Sequence, residues 1–236
     1  MHPALLLLTD SRLPAGGHAH SGGTEQAIAS GAVHDVPTLA AFLKGRLHTA
    51  GAVTAALTAA ACAHAASTTT APITGTPGTP LWGRLDAEVD ARTASPAQRH
   101  ASRTQGRLLL RVARRVWPSP VLDGLAAESP NPHHPIALGT AAHAAGATPE
   151  EAAMAAAYHA ISGPATAAVR LLGLDPVAVH GLLATLAPDL TAVTAGACRA
   201  AVHQDPGWAA LPACSAPALD LLAERHATAE VRLFVS

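Results

Sequence analysis

Aromatic residues are nearly missing from this chain: two Phe, one Tyr and three Trp in 236 residues. β-Sheets favour aromatic and β-branched side chains, whereas alanine, abundant here, is the best helix former and is small. The shortage therefore excludes a β-sandwich and points to closely packed helices. Lysine is scarcer still, with Lys44 alone against fourteen arginines. Such a skew reads as a compositional bias that also inflates Ala and His, so the fourteen histidines say little about function by number alone. Charged residues make up only 13% of the chain and the net charge is −1, which argues against a nucleic-acid-binding surface over the whole protein. No Cys-x-x-Cys occurs. Cys62, Cys198 and Cys214 are odd in number and widely spaced, as expected of buried free thiols in a reducing cytosol.

Between Arg46 and Arg84 there is no Asp, Glu, Lys or Arg. The first half, Leu47 to Ala66, is rich in Ala and Thr and carries His48, Gly51 and His64. With few large apolar side chains it is a poor membrane span and reads as a buried helix. The apolar run Leu5–Leu8 has no basic residues before it and is too short for a signal peptide. A cytoplasmic protein is expected, with no membrane partner.

What is present is helical punctuation. Asp35-Val-Pro37 opens a helix to about Ala66, with Leu39, Phe42, Leu43 and Leu47 on one face. Ser67–Gly83, rich in Thr, Pro and Gly, reads as a mobile loop inserted in a single domain over 1–236. Ser95-Pro96 starts a long helix ending before Pro118; Gly106 inside it implies close packing. Arg99, Arg103, Arg107 and Arg111, with Arg114 or Arg115, form its charged row: a solvated face or a docking strip for an acidic partner. Asn131–Pro135 punctuates the chain and starts a helix to about Gly146. Thr148-Pro-Glu-Glu151 starts another toward Leu172, which Pro164 should kink or break. Asp175-Pro176 caps a helix to about His203, and a last one begins near Ser215-Ala-Pro217. The tail, 228–236, looks extended or loosely helical. The fold class expected is all-α, a bundle of about eight helices with a glycine-rich N-terminal loop and an extended tail.

The least ordinary stretch is Thr9–Glu25. Gly16, Gly17, Gly22 and Gly23 bracket His18 and His20, a density that suggests tight turns, close approach or a ligand contact. Ser21 would cap a helix to about Ser30, with Glu25 near its positive end and Gly31 as its stop. Gly17 to Thr24 comes within one residue of a phosphate-binding loop, but Gly23 stands where the lysine is needed and no Lys or Arg lies between Arg12 and Lys44. Nucleotide binding is therefore not expected. His18/His20 and His133/His134 lack the i,i+4 spacing that places two ligands on one helix face, so no metal site is assigned. No nucleophile elbow or carboxylate pair stands out either. The chain reads as a binding protein rather than an enzyme, with no cofactor.

Asp10 to Glu25, D-S-x-x-P-x-G-G-x-x-H-S-x-G-x-E, resembles the N-terminal signature of the UreF urease accessory proteins. Arg99-x-x-Ser102-x-x-x-Gly106-Arg107-x-Leu109, His134–Gly139, Ala167–Leu171, and Asp220–His226 followed by Arg232–Ser236 are similar to later segments of that family, in order. The chain departs at His18, where the family usually has Phe or Tyr, at Ala227, and at Gly173–Pro176. The resemblance implies an all-helical, dimeric, non-enzymatic maturation factor. It would join a UreD/UreH scaffold to the UreG GTPase on apo-urease and couple GTP hydrolysis to nickel insertion. Partner contact would fall to Gly16, Gly17, His18, His20, Ser21 and Glu25 in the loop and to Arg232, Leu233 and Phe234 in the tail. The alternative from another class is a helical carrier that holds nickel on its own histidines. The apolar tail residues Val231, Leu233, Phe234 and Val235 must be covered either by the chain's own helices or by a partner.

Overall fold

Proline marks where most helices begin, because its missing N–H costs nothing in the first turn. A computed structural model describes residues 2–70, 81–202 and 208–234, with the backbone alone for residues 18, 69, 70, 81 and 202. Prolines stand in the first turn of α1 (Pro3–Thr9), α3 (Val36–Arg46), α6 (Pro96–Val116), α7 (Pro120–Glu128), α8 (His134–Ala144), α9 (Pro149–Leu172), α10 (Pro176–Thr185) and α12 (Pro217–Thr228). Helix α11 (Ala187–Val202) likewise has Pro188 as its second residue, and the helices without one are α2 (Thr24–Ala29), α4 (Ala52–Thr70) and α5 (Leu81–Arg92). Among the described residues there is no strand. Asp35 and Thr148 head full capping boxes, and Ser95 accepts from the Gln98 N–H.

The count exceeds the expected eight: taking α3, the π turn Leu47–Gly51 and α4 as one rod, the described residues form eleven continuous helices. Four differences explain it. The short apolar run Leu5–Leu8 belongs to helix α1. Residues 67–70 continue α4 and α5 begins at Leu81, so the predicted loop 67–83 is helical at both margins; its middle, 71–80, lies outside the described residues. Helix α7 fills the stretch after Pro118. The helix expected from Pro176 to His203 is two, α10 and α11, bent by 47° just before Pro188, which cannot donate an interior hydrogen bond. Conversely, α9 runs unbroken past Pro164.

The centre is α4, packed chiefly against α8, α11 and α9, with α6 on the far side of α8. Its buried face is almost wholly small: Ala55, Ala56, Ala59, Ala60, Ala61 and Cys62. Helix α8 comes so close that a Cβ on Gly139 would lie 2.3 Å from the Thr58 carbonyl oxygen. Gly106 plays the same part in α6, where a Cβ would stand 2.0 Å from the Pro132 carbonyl. Larger leucines close the layer around this seam, including Leu39, Leu43, Leu57, Leu85 and Leu122. Among the described residues one continuous helix, Val36–Thr68, is long and apolar enough to cross a membrane, and α10 with α11 only as a bent pair. Of the apolar window in Val36–Thr68, 67% is buried inside the fold, which is the burial of a core helix. The cysteines are free, but only Cys62 is buried; Cys198 is half-buried and Cys214 exposed.

Candidate partner-docking site

The glycine loop is held in place by one arginine. Pro164 has no N–H to give the Ala160 carbonyl four residues before it. Arg46, at the end of α3, fills that gap by donating Nε–H to Ala160 O at 2.9 Å, and it donates Nη1–H to Gly22 O at 2.8 Å. Burial lowers its pKa to about 10, so it stays charged near neutrality. Gly22 adopts φ +61°, and a Cβ there would press on Arg46 and on Pro164 at 3.1 Å. The interior proline, the arginine and the glycine thus form one joint.

Around it the loop turns twice. Asp10 accepts from the backbone N–H and the guanidinium of Arg12, which hold its carboxyl down at about 2. Gly16 is left-handed at φ +79° and leads into a single 3-10 turn, Gly17–Ala19. Ser21 is fully buried but is not the cap of α2. Left-handed Gly23 takes that position, while Ser21 Oγ accepts weakly from the Glu25 N–H at 3.4 Å. Gly31 ends the helix at φ +76°, as expected.

The tail returns to this loop. Glu25 accepts from the backbone N–H groups of Leu233 (2.8 Å) and Phe234 (3.2 Å). His226, buried in α12, lies 3.2 Å by Nε2 from the Phe234 carbonyl and 3.6 Å by Nδ1 from the Glu25 carboxylate. So the tail backbone is fastened to its own fold. Its side chains are not: Val231 is 85% and Leu233 77% exposed, while Phe234 is half-buried. Over the described part of the tail neither reading, self-covered or partner-covered, holds throughout, and Val235 lies outside the described residues.

Loop and tail border one cleft of about 1100 Å³, whose lining includes Gly17, His20, Arg232 and Phe234. His134, at the start of α8, and His159, in α9, also line it, their rings 6.4 Å apart. Burial pushes the His134 pKa down to about 3, helped by the nearby His159 and His20, and burial pushes His159 to about 4 against its hydrogen bond to the Leu8 carbonyl. Both rings are neutral at pH 7. Of the predicted contact residues, Gly16, Gly17, His20, Ser21, Glu25, Arg232, Leu233 and Phe234 therefore fall in one neighbourhood. The His18 backbone does too, its side chain being outside the described residues. Arg46, His159 and His226 are not singled out by the sequence, and His134 is set aside there with His133; all four adjoin the loop only in space. Pro164 was the signal available, since an interior proline requires some donor for the carbonyl it strands.

The adjacent His133 and His134 have separate surroundings. His133 is fully buried, with Nε2 2.9 Å from Asp90, Nδ1 3.0 Å from Ser102 Oγ, and its N–H donated to Asp86. Oxygens of Asp86 and Asp90 lie near enough to its ring to hold a metal ion. However, Arg103 donates to both carboxylates at 2.8 and 2.7 Å. A guanidinium already neutralises the site, which reads as a strut tying α5 to α6 and α8. Arg103 thereby leaves the charged row, and Arg114 pairs with Asp123, while Arg107 and Arg111 are exposed.

The sequence model of the UreF family matches residues 33–187. The chain is 46% identical over 232 residues to the urease accessory protein UreF of Mycolicibacterium vanbaalenii, with 98% of this chain and 97% of the relative covered. It is 45% identical to that of Mycobacterium sp. strain JLS and 44% to that of Mycobacterium marinum, with the same coverage. A family model over residues 33–187 and relatives 44–46% identical over 98% of the chain mean that the chain belongs to the UreF family of urease accessory proteins, which are not catalytic enzymes.

Proposed function

We propose that the chain is a homodimeric cytoplasmic factor that bridges a UreD/UreH-type scaffold and the UreG GTPase on apo-urease, promoting GTP-dependent nickel insertion. The observation that carries this reading is the meeting of the glycine loop with the tail. Residues more than two hundred positions apart converge beside one cleft and leave Val231 and Leu233 in water. Exposed apolar side chains on an ordered backbone favour cover by another protein. Gly23 at the lysine position of the near-miss phosphate loop supports leaving GTP hydrolysis to the partner. The continuous apolar cluster running from Ala4 to Leu211 supports a single domain. Helix α10 supports self-association: it carries no Asp, Glu, Lys or Arg, and Val179 alone is buried in it.

The test is co-expression with the host's UreD and UreG homologues followed by size exclusion. The full chain is expected to co-elute with the scaffold, and a chain lacking Glu230–Ser236 to lose it while keeping its helicity. Arg232→Ala should weaken the complex by about 1–3 kcal/mol, the scale of a charged hydrogen bond. Undiminished recovery of the scaffold by the shortened chain would overturn the assignment of the tail.

A further inference from the structure

We propose that the outward face of α6, together with the small pocket at its C-terminal end, docks an acidic amphipathic helix of a partner protein. The arginines of α6 divide in two. Arg99 donates to the Thr93 and Ala94 carbonyls, Arg103 to Asp86 and Asp90, and Arg114 to Asp123. Arg107, Arg111 and Arg115 are exposed and have no carboxylate partner among the described residues. They stand one turn apart over about 12 Å of helix. At about 100° per residue they point away from the buried Gly106, Leu109, Leu110 and Ala113. Like charges at this spacing repel, in a chain whose net charge is only −1. A ladder of carboxylates at the same spacing on another helix would cancel that repulsion, since a guanidinium takes a carboxylate in paired hydrogen bonds.

Charge alone would describe any solvated face. Beside the arginines, however, runs an apolar row, Leu108, Val112 and Val116, of which the first two are half-buried and Val116 is 52% exposed. There Val116 and Trp117 close a pocket of about 180 Å³ with Leu7 of α1 and Leu13 of the loop. Leu7 is itself 53% exposed. The pocket suits one large apolar side chain, so the fitting partner carries carboxylates on one stripe and a Leu or Phe anchor beside them. Leu108 in turn meets the glycine loop, where a Cβ on Gly16 would lie 3.0 Å from Leu108 Cδ1. A docked helix would therefore run alongside that loop. The order of the rows selects a protein over a lipid surface. A helix lying in a bilayer interface buries its apolar crest and keeps its cations at the flanks. On α6 the arginines take the crest, and the apolar row lies to the side, toward α1 and the loop.

This surface is separate from the tail and does not rest on the bridging role, so the isolated full chain is the proper material. The probe is a labelled helical peptide with three glutamates one turn apart and a phenylalanine on the neighbouring stripe, followed by fluorescence anisotropy. Its comparisons are the same peptide with glutamine for glutamate, vesicles of phosphatidylserine and phosphatidylcholine, and a DNA duplex. The acidic peptide should bind with a dissociation constant on the order of 10–100 micromolar, at least tenfold more tightly than its glutamine counterpart. Affinity should fall about tenfold between about 50 and about 500 mM salt. Arg107→Glu, Arg111→Glu and Arg115→Glu together should weaken binding at least tenfold, and Val116→Asp several-fold. Arg84→Glu, at an exposed arginine on α5, should leave it unchanged. Should the triple variant lose its helical circular dichroism, Arg111→Glu alone and the salt dependence decide. Equal affinity for the glutamine peptide, tighter binding of vesicles or duplex than of the acidic peptide, or affinity unaltered by the arginine changes would overturn the surface. Loss of the scaffold on removing Glu230–Ser236 would stand in each case.

Discussion

At Gly106 the space for a single methyl group is already taken by the Pro132 carbonyl. Gly106→Ala must push α6 away from the turn before α8, and is expected to cost about 3 kcal/mol or more, as overpacking against rigid backbone does. Gly45, inside α3 and with open space where a Cβ would stand, is the control. Gly45→Ala should stabilise by about 0.5–1 kcal/mol through helix propensity alone. Urea midpoints of the two variants should move in opposite directions. Arg46 is the other position where one side chain decides a region. Arg46→Met strands the carbonyls of Ala160 and Gly22, and should cost about 1–3 kcal/mol. Amide exchange should then speed up in residues 20–25 ahead of the rest of the molecule. The crowding at Gly106 was legible in the sequence, because a glycine in a strong helix needs a reason. The role of Arg46 was not, since nothing in a linear pattern says which donor reaches a stranded carbonyl.

The elements most faithfully announced by the sequence are those with a cap and a proline together: α3, α6, α9 and the start of α10. Their local signals agree with the fold except at Pro164, where the tertiary bond from Arg46 overrides the break expected in α9. Helices α1, α5 and α7 went unread for different reasons. Helix α1 is seven residues long with Leu6 and Leu7 facing water, so it shows no clean apolar face. Helix α5 begins beside a Thr/Pro/Gly-rich stretch, and its acidic residues Asp86 and Asp90 find their partners farther along the chain, in Arg99, Arg103 and His133. Beyond the bend that separates it from α11, α10 leaves Val177 78% exposed, and the self-association proposed above would use this face. Val177→Glu should convert a dimer to a monomer in sedimentation at tens of micromolar, roughly the range where a moderate interface is half-formed. Its melting temperature should be nearly unchanged. A wild-type chain that sediments as a monomer would remove the premise.

At the scale of the whole molecule, five buried or half-buried histidines share one electrostatic direction. His64, His133, His134, His143 and His159 all have their pKa lowered, with burial the first cause in each. Above about pH 6.5 folded and unfolded chains alike carry these rings neutral, and their contribution to stability is complete. Below it the unfolded chain binds protons that the folded one refuses, so stability declines as pH falls toward the lowered values. Asp10, Asp35, Asp90, Glu151, Asp189 and Glu224 are also lowered. Their contribution is complete above about pH 4 and lost only at greater acidity. The urea midpoint should therefore be flat near pH 7–8, slope downward from about pH 6.5, and steepen below about 4. A flat profile between pH 7 and 5 would mean that these rings are hydrated in solution.

Glu25 receives the backbone of Leu233 and Phe234 across 208 steps of synthesis. A ribosome lays down the glycine loop first and adds more than two hundred residues before the matching half exists. A nascent polypeptide can fold its alanine-lined centre while still attached, yet it cannot offer a finished face to any other protein. On the docking role proposed above, recruitment waits until residues 233 and 234 have been made, and a product stopped before them, however well folded, would be passed over rather than drawn into an incomplete assembly.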